Sequence, residues 1–380
     1  MTGTKVYKSI RISVLVAAGG FACAGSATPE RVHDGDSLYV ATTGSDSNPG
    51  TEAKPFRTIG HAVSQATPGT SVHVAAGTYR ENVTSKMNGT SAARIRFVSD
   101  TKWGARIVGS GTEGAWTNRA DYTDIVGFDI SGTGRLGILN LGSHTLIQGN
   151  HVHDLAVSGG CTGAGGAGIH NGNYGATDGE IIGNVVHDIG VPGSCNGIHG
   201  IYVANQRARV FNNIVYRAAS WGIHLWHAAD KVMIANNTVF ENGSAGMGGG
   251  IVMGVGDSPG GKILTNTKVI NNIVYNNPAQ GIAQFCYAGQ ECIGRGNVVA
   301  NNLVYGSTSA VIMKVGKATR TIMKDPQFVD YRPKGNGDYR LKRSSPAARK
   351  GLARFAPATD IEHVSRPRGA APDIGAYENR

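Results

Sequence analysis

Three imidazoles and a phenol recur at matching places in this sequence. His170, Tyr202 and His224 each follow a Gly-Ile pair, as Gly168-Ile-His170, Gly200-Ile-Tyr202 and Gly222-Ile-His224. Gly197-Ile-His199 fits the same phrase, so His199 or Tyr202 takes the middle place. Neutral imidazole accepts protons near neutral pH and a phenol donates one, so such a set suits general acid–base chemistry. Arg217, one residue after Tyr216, would add a fixed positive charge for an anionic group. Trp221, Trp226 and His227 lie close by, and an indole offers a flat apolar face on which a sugar ring can stack. Any single outward His or Tyr can be an ordinary solvated strand residue. The argument for function rests on the group His170, His199, Tyr202, His224 and His227, concentrated where the intervening loops are longest.

These residues meet only if the chain stacks them. A second phrase predicts that it does. Asn150, Asn184, Asn213, Asn237, Asn272 and Asn302 each sit between short apolar runs, at spacings of 34, 29, 24, 35 and 30 residues. Repeats of that length mark a solenoid. The runs alternate and are rich in Val and Ile, which favours strands over helices. Asn tolerates the left-handed backbone of a tight corner, and its amide can bond the Asn of the next coil. Gly-Ile then marks a third strand per coil, with Ile inward and the following residue outward.

The outward rows can be written down. One reads Leu139, His170, Tyr202, His224, Val252, Ala283; the next reads Leu141, Gly172, Ala204, Trp226, Gly254, Phe285. With strands about 4.8 Å apart, His170 to His224 spans roughly 10 Å, about two sugar units. A separate row, His153, His187, Tyr216, Phe240, Tyr275, Tyr305, predicts stacking. The fold class is all-β, a single-domain right-handed parallel β-helix with three strands per coil. Residues 25–80 form an N-terminal cap and first coil, with a short helix from Thr58 to Ala66. Residues 81–330 form the β-helix, and residues 331–380 form closing strands and a basic tail.

The N-terminus reads as a signal peptide over residues 1–24: Lys5, Lys8 and Arg11, an apolar run from Ile12 to Phe21, then Ala22-Cys23-Ala24. Secretion or export to a periplasm follows. Gly20-Phe21-Ala22 before Cys23 makes a poor lipobox, so lipid anchoring is the lesser reading, and the apolar run is too short to span a bilayer. Four cysteines remain in an exported chain, which favours disulfides. Cys286 and Cys292 can close a small loop; Cys161 and Cys195 are about one repeat apart and can link neighbouring coils. No Cys-x-x-Cys spacing supports zinc instead.

Of the net charge of +10, three charges lie in residues 1–24 and six in residues 331–380, which leaves +1 for residues 25–330. A uniformly basic groove is not supported, and no nucleic-acid motif is present. A basic tail can steer an acidic polymer, though it is more often plain solvated surface. A monomer is expected.

Tyr39-Val-Ala-Thr-Thr-Gly-Ser-Asp-Ser-Asn-Pro-Gly50, Lys54-Pro-Phe-Arg-Thr-Ile59 and Pro68-Gly-Thr-Ser-Val-His-Val-Ala-Ala-Gly-Thr-Tyr79 resemble the opening segment of secreted β-helix proteins of the pectate-lyase superfamily. Asp373-Ile-Gly-Ala-Tyr-Glu378 resembles their ending. The resemblance is specific for fold and weak for reaction, since the superfamily includes lyases, hydrolases and epimerases. It implies an acidic, uronate-containing polysaccharide as substrate. Its lyases take the C5 proton of a uronate and expel the C4 oxygen. His170 or His199 would then be the base and Tyr202 the acid, with His224 positioning the substrate and Arg217 meeting its carboxylate. The central rows show no Asp/Glu pair of the kind a glycosidase uses, which favours a lyase. A C5-epimerase, a glycoside hydrolase and a non-catalytic glycan binder are the alternatives. The calcium ligands of pectate lyases do not map onto this sequence. Asp154, Asp178 and Asp188 are candidate Ca2+ ligands or simple turn formers.

Overall fold

A computed structural model describes residues 37–379, except 112, 158–164, 192, 245 and 258–261. The proposed signal peptide and Cys161 lie outside the described residues. The described chain winds into stacked coils of three strands, giving parallel sheets of ten, nine and nine strands. The first sheet runs from Ser37–Val40 to Val298–Ala300, the second from Gly77–Tyr79 to Leu303–Tyr305, and the third from Val83–Ser85 to Ser309–Ile312. Helix α1, Ile59–Gln65, is capped at Thr58, whose side chain accepts from the His61 backbone N–H. It buries Ile59, Ala62 and Val63 against the first coil, where an edge would otherwise stand open. Phe328–Asp330 and Asp338–Leu341 pair antiparallel near the far end.

The two sequence phrases have separate physical causes. In each coil the ladder Asn accepts from the backbone and amide of the Asn below it, as Asn184 does from Asn150 and Asn213 from Asn184. The line continues through Asn237, Asn272 and Asn302, all fully buried. The residue before each ladder Asn makes the left-handed corner: Gly149, Gly183, Asn212, Asn236, Asn271 and Asn301 all have positive φ. A second ladder, Asn118–Asn140–Asn171–Asn205, runs along the corner after the third sheet.

The Gly of Gly-Ile is required by packing. A Cβ on Gly168, Gly200, Gly222 or Gly250 would overlap Cγ1 of Val186, Val215, Val239 or Val274, the valine two residues beyond a ladder Asn. The neighbouring Ile169, Ile201, Ile223 and Ile251 are fully buried in the central core. The aromatic row stacks in register on the second sheet: His187 on Tyr216 at 4.6 Å and Tyr216 on Phe240 at 4.8 Å between ring centroids.

Candidate active site

Vertical pairing on the third sheet puts His170 opposite Tyr202 and Tyr202 opposite His224, with Leu139 and Val252 flanking them. Tyr202 therefore holds the middle place in the row. His199 sits three residues earlier on the same strand, and its Nε2 lies 2.9 Å from His224 Nδ1, so one ring donates to the other. The Tyr202 ring meets His170 edge-on at 4.6 Å and His224 at 5.2 Å. These residues line a cavity of about 680 Å³ together with Trp221, Trp226 and His227. That is room for a small oligosaccharide.

Trp226 lies across bare backbone: a Cβ on Gly254 or Gly256 would enter its ring. Its Nε1–H points to Asp257 Oδ2 at 3.4 Å, and Tyr287 donates to the same oxygen at 3.1 Å. Trp221 rests on Val252 and Ala283.

Arg217 is not in this cavity, which corrects the role expected for it. It belongs to the strand Ile214–Ala218 of the second sheet, and its guanidinium pairs with Asp188 at 2.6 Å. The cavity's arginine is Arg135, just before the third-sheet strand Leu136–Asn140. Its Nε is buried with no hydrogen-bond partner among the described residues, as are Nδ1 of His170 and of His199. Three buried nitrogens without partners around one cavity are costly unless a ligand meets them.

Burial sets the protonation states. Desolvation, then the charges of Arg135 and His227, pull His170 down to about 4. Desolvation, reinforced by His227 and His170, pulls His224 down to about 3, and His199 is likewise pushed well below the usual histidine value by burial and by its two neighbours. The Tyr202 phenol is pushed far up, chiefly by burial and then by Tyr174, Asp257 and Tyr287. At neutral pH His170, His199 and His224 are thus neutral and Tyr202 keeps its proton, beside the Arg135 guanidinium.

Among the described residues Asp257 is the one carboxylate lining the cavity, and residues 158–164 and 258–261 contain no Asp or Glu. The paired carboxylates of a glycosidase are not assembled. Nor do the three aspartates named as Ca2+ ligands form one cage. Asp178 faces Arg207 beside the first sheet, whereas Asp154 and Asp188 bond His153 and His187 on the second. Cys286 and Cys292 form the expected disulfide, with Cα atoms 5.7 Å apart. Cys195 is also disulfide-bonded.

Sequence reasoning missed Arg135, Tyr174, Asp257 and Tyr287. A usable signal existed for three of them: Tyr174, Asp257 and Tyr287 follow the outward row by four or five residues, where the chain leaves the third sheet. Tyr174 packs on His227 at 4.6 Å.

Comparison with known proteins agrees with this architecture. Residues 38–317 match the model of the Pel9A-like, right-handed β-helix region. The solved structure of pectate lyase Pel9A is similar with a TM-score of 0.58, covering 90% of this chain and 96% of that one at 17% identity. A rhamnogalacturonan lyase gives 0.56, covering 82% and 96% at 17% identity. The lacto-N-biosidase of Eubacterium ramulus gives 0.50, covering 77% and 69% at 13% identity. At such identities the likeness is one of fold. Over 63 residues the chain is 49% identical to the uncharacterized protein YwoF of Bacillus subtilis (strain 168); that stretch is 17% of this chain and 14% of that protein's length.

Proposed function

The chain belongs to the family of Pel9A-like right-handed β-helices, and from that premise we propose that it is a polysaccharide lyase acting on a uronate-containing polymer by β-elimination. The observation that carries the proposal is the make-up of the cavity: neutral His170, His199 and His224, a protonated Tyr202 and an arginine whose Nε, among the described residues, has no partner, with one carboxylate among the described residues lining it.

Arg135 meets the uronate carboxylate, which withdraws electron density from C5 and satisfies its own buried Nε–H. His170 takes the C5 proton. His199 is the weaker candidate for that role, being 3% exposed with its Nε2 occupied by His224. As the C5–H electrons form the C4=C5 double bond, the C4–O bond breaks. Tyr202 donates its proton to the departing oxygen, and the proton held by His170 returns to Tyr202 after release. A pKa near 4 makes free His170 a weak base. The bound carboxylate adds negative charge beside it and raises its affinity for a proton once substrate is in place. His224 holds His199, and Trp226 offers a ring face to a neighbouring sugar.

Incubation with a panel of uronate polymers tests this. The lyase product absorbs in the far ultraviolet through its new double bond. Epimerised but uncleaved polymer, or binding without change, overturns the lyase reading. His170→Ala is expected to lose cleavage while keeping fold and binding, and full activity in it removes the assignment. Arg135→Gln is expected to cost roughly a hundredfold or more in kcat/KM. Arg217→Gln, on another sheet, should leave the rate within about threefold, a surface-type change.

A further inference from the structure

A second group of imidazoles stands on the second sheet, away from the cavity residues. It spans three successive coils: Asp129 on Asp129–Gly132, His151 and His153 on His151–Leu155, and His187 on Val185–Ile189. Pairing sets His151 beside Asp129 and His187 beside His153.

Each ring has a carboxylate on Nδ1. His151 meets Asp129 at 3.0 Å, His153 meets Asp154 at 2.8 Å, and His187 meets Asp188 at 2.6 Å. A carboxylate accepts, so it holds the proton on Nδ1 and leaves Nε2 of a neutral ring as a bare lone pair. Two of those lone pairs, on His151 and His187, face each other at 2.8 Å. The third, on His153, faces both oxygens of Asp129 at 3.2 Å. Between neutral His151 and His187 this sets lone pair against lone pair, which is repulsive unless a proton or a metal cation lies between them. His153, held between Asp154 and Asp129, can instead donate from both ring nitrogens until a cation takes its Nε2.

We propose that His151, His153 and His187 bind a divalent transition-metal ion of the zinc class through Nε2, with Asp129 beside them as an oxygen donor. One candidate ligand nitrogen from each ring lies within 4.8 Å of the others. A tetrahedral site with bonds of about 2.0–2.1 Å needs its nitrogens roughly 3.3 Å apart, so on binding the His151–His187 pair, now at 2.8 Å, opens and the stacked rings of His151 and His153 turn toward the ion. Imidazole donors suit zinc, whereas calcium prefers oxygen. The carboxylate behind each imidazole is the outer-shell arrangement that fixes the tautomer and strengthens the ligand. Side-chain exposures of 20%, 18% and 14% for His151, His153 and His187 leave an approach from solvent. The rings are also pre-set: Trp103 packs on His151 at 4.7 Å and Tyr216 on His187 at 4.6 Å. An ion here ties three coils together beside the sheet that carries the cavity.

The rival account places an extra proton on the cluster instead of a metal, and the test separates the two. Tag-free full-length protein is stripped with a chelator, then titrated with Zn2+ and with Co2+ at pH 7.5. The expected result is one ion per chain, visible ligand-field bands of tetrahedral cobalt, and a Zn2+-dependent rise in Tm. The pair His151→Gln and His187→Gln should abolish these. Asp188→Asn should weaken affinity roughly 10–100-fold. His224→Gln, in the cavity, should leave stoichiometry and cobalt spectrum unchanged. Failure of the folded wild type to bind either ion overturns the site, and so does binding that survives the double variant or disappears in His224→Gln. Should the double variant not fold, the Asp188→Asn affinity and the single variant His153→Gln decide, and an unchanged affinity in both overturns the proposal.

Discussion

At His170 and His224 the same burial that prepares the chemistry weakens the fold in acid. Unfolded histidines protonate near 6.5, whereas these two resist protonation down to about 4 and about 3. Above 6.5 both states are neutral and the two sites contribute no pH dependence. As pH falls below 6.5 the unfolded chain binds protons that the folded chain refuses, so stability is lost progressively until the folded values are reached. For His170 alone that is roughly 3 kcal/mol between about pH 6.5 and pH 4. Urea unfolding of wild type and His170→Gln across this window checks it. The expected outcome is a shallower acid slope in the variant, and parallel slopes would refute the burial argument. Much of the site was legible at this scale. His170, Tyr202, His224 and Trp226 could be aligned because a strand repeats every two residues, so Gly-Ile announces which side chain faces out. Arg135 was not legible, because it precedes its strand and belongs to neither outward row. Arg217 was misplaced for a related reason: it occupies a left-handed position within a strand of the second sheet that Asp154 and Asp188 occupy in earlier coils, with φ of 56°, 48° and 53°. Shared position along a repeat identifies the sheet a residue belongs to, and that sheet was not the one with the cavity.

At the scale of the strand, the Gly-Ile and Asn phrases are two halves of one packing contact. Gly200 has room for no side chain, because Val215 Cγ1 and the Gly222 carbonyl occupy the space a Cβ would need. Its φ is not left-handed, so the constraint is close approach and not backbone conformation. Gly200→Ala is therefore expected to destabilise by about 1–3 kcal/mol, the usual cost of overpacking. Adding Val215→Ala removes the methyl it strikes and should recover part of that loss, with the Gly222 carbonyl retaining the rest. A thermodynamic cycle over the two single variants and the double variant measures the coupling. Strict additivity would mean that the glycine is there for another reason. The repeat was readable in the sequence as a pattern, whereas the identity of the clashing partner needed three-dimensional neighbours. The double asparagines show the same division. The second Asn of each pair builds the buried ladder, and the first turns the corner and reaches outward.

What the first asparagines reach is the C-terminal tail, and this binds the far end of the molecule to its middle. Asn212 donates to the Thr359 carbonyl, Asn236 to Asp373 and Gly375, Asn271 to Leu352, and Asn301 to Lys350. The corners at 149 and 183 carry Gly instead, and Trp103 and not the tail bonds the Gly149 carbonyl. Composition alone presented residues 331–380 as a basic, solvent-facing tail, because charge counts carry no information about pairing. In the fold, Ile374 and Ala376 are buried with Ile214, Phe240, Ile273 and Leu303. Arg366 pairs with Glu378 at 3.1 Å, their side chains 0% and 2% exposed. Arg366 also donates to the carbonyls of Asp373 and Gly375 and to Asn212. So placed, Arg366 is unavailable for steering an acidic polymer. Glu378→Gln removes the carboxylate bonded to the buried guanidinium and leaves only the more remote Asp360 and Asp373 to offset its charge, and the expected cost is up to about 3–5 kcal/mol. Replacing both partners, as Arg366→Met with Glu378→Gln, should cost at least as much as Glu378→Gln alone, since the buried Asp360 and Asp373 then lose the guanidinium that offsets their charge. The readout is urea unfolding followed through tryptophan fluorescence, which reports on Trp103, Trp116, Trp221 and Trp226 along the solenoid. If the tail is integral to the solenoid, the tryptophan signal and the far-ultraviolet signal shift together in one transition. A variant in which the tail releases first, leaving the tryptophan transition at the wild-type urea concentration, would show that the tail is an appended strap and that the coils are stable without it.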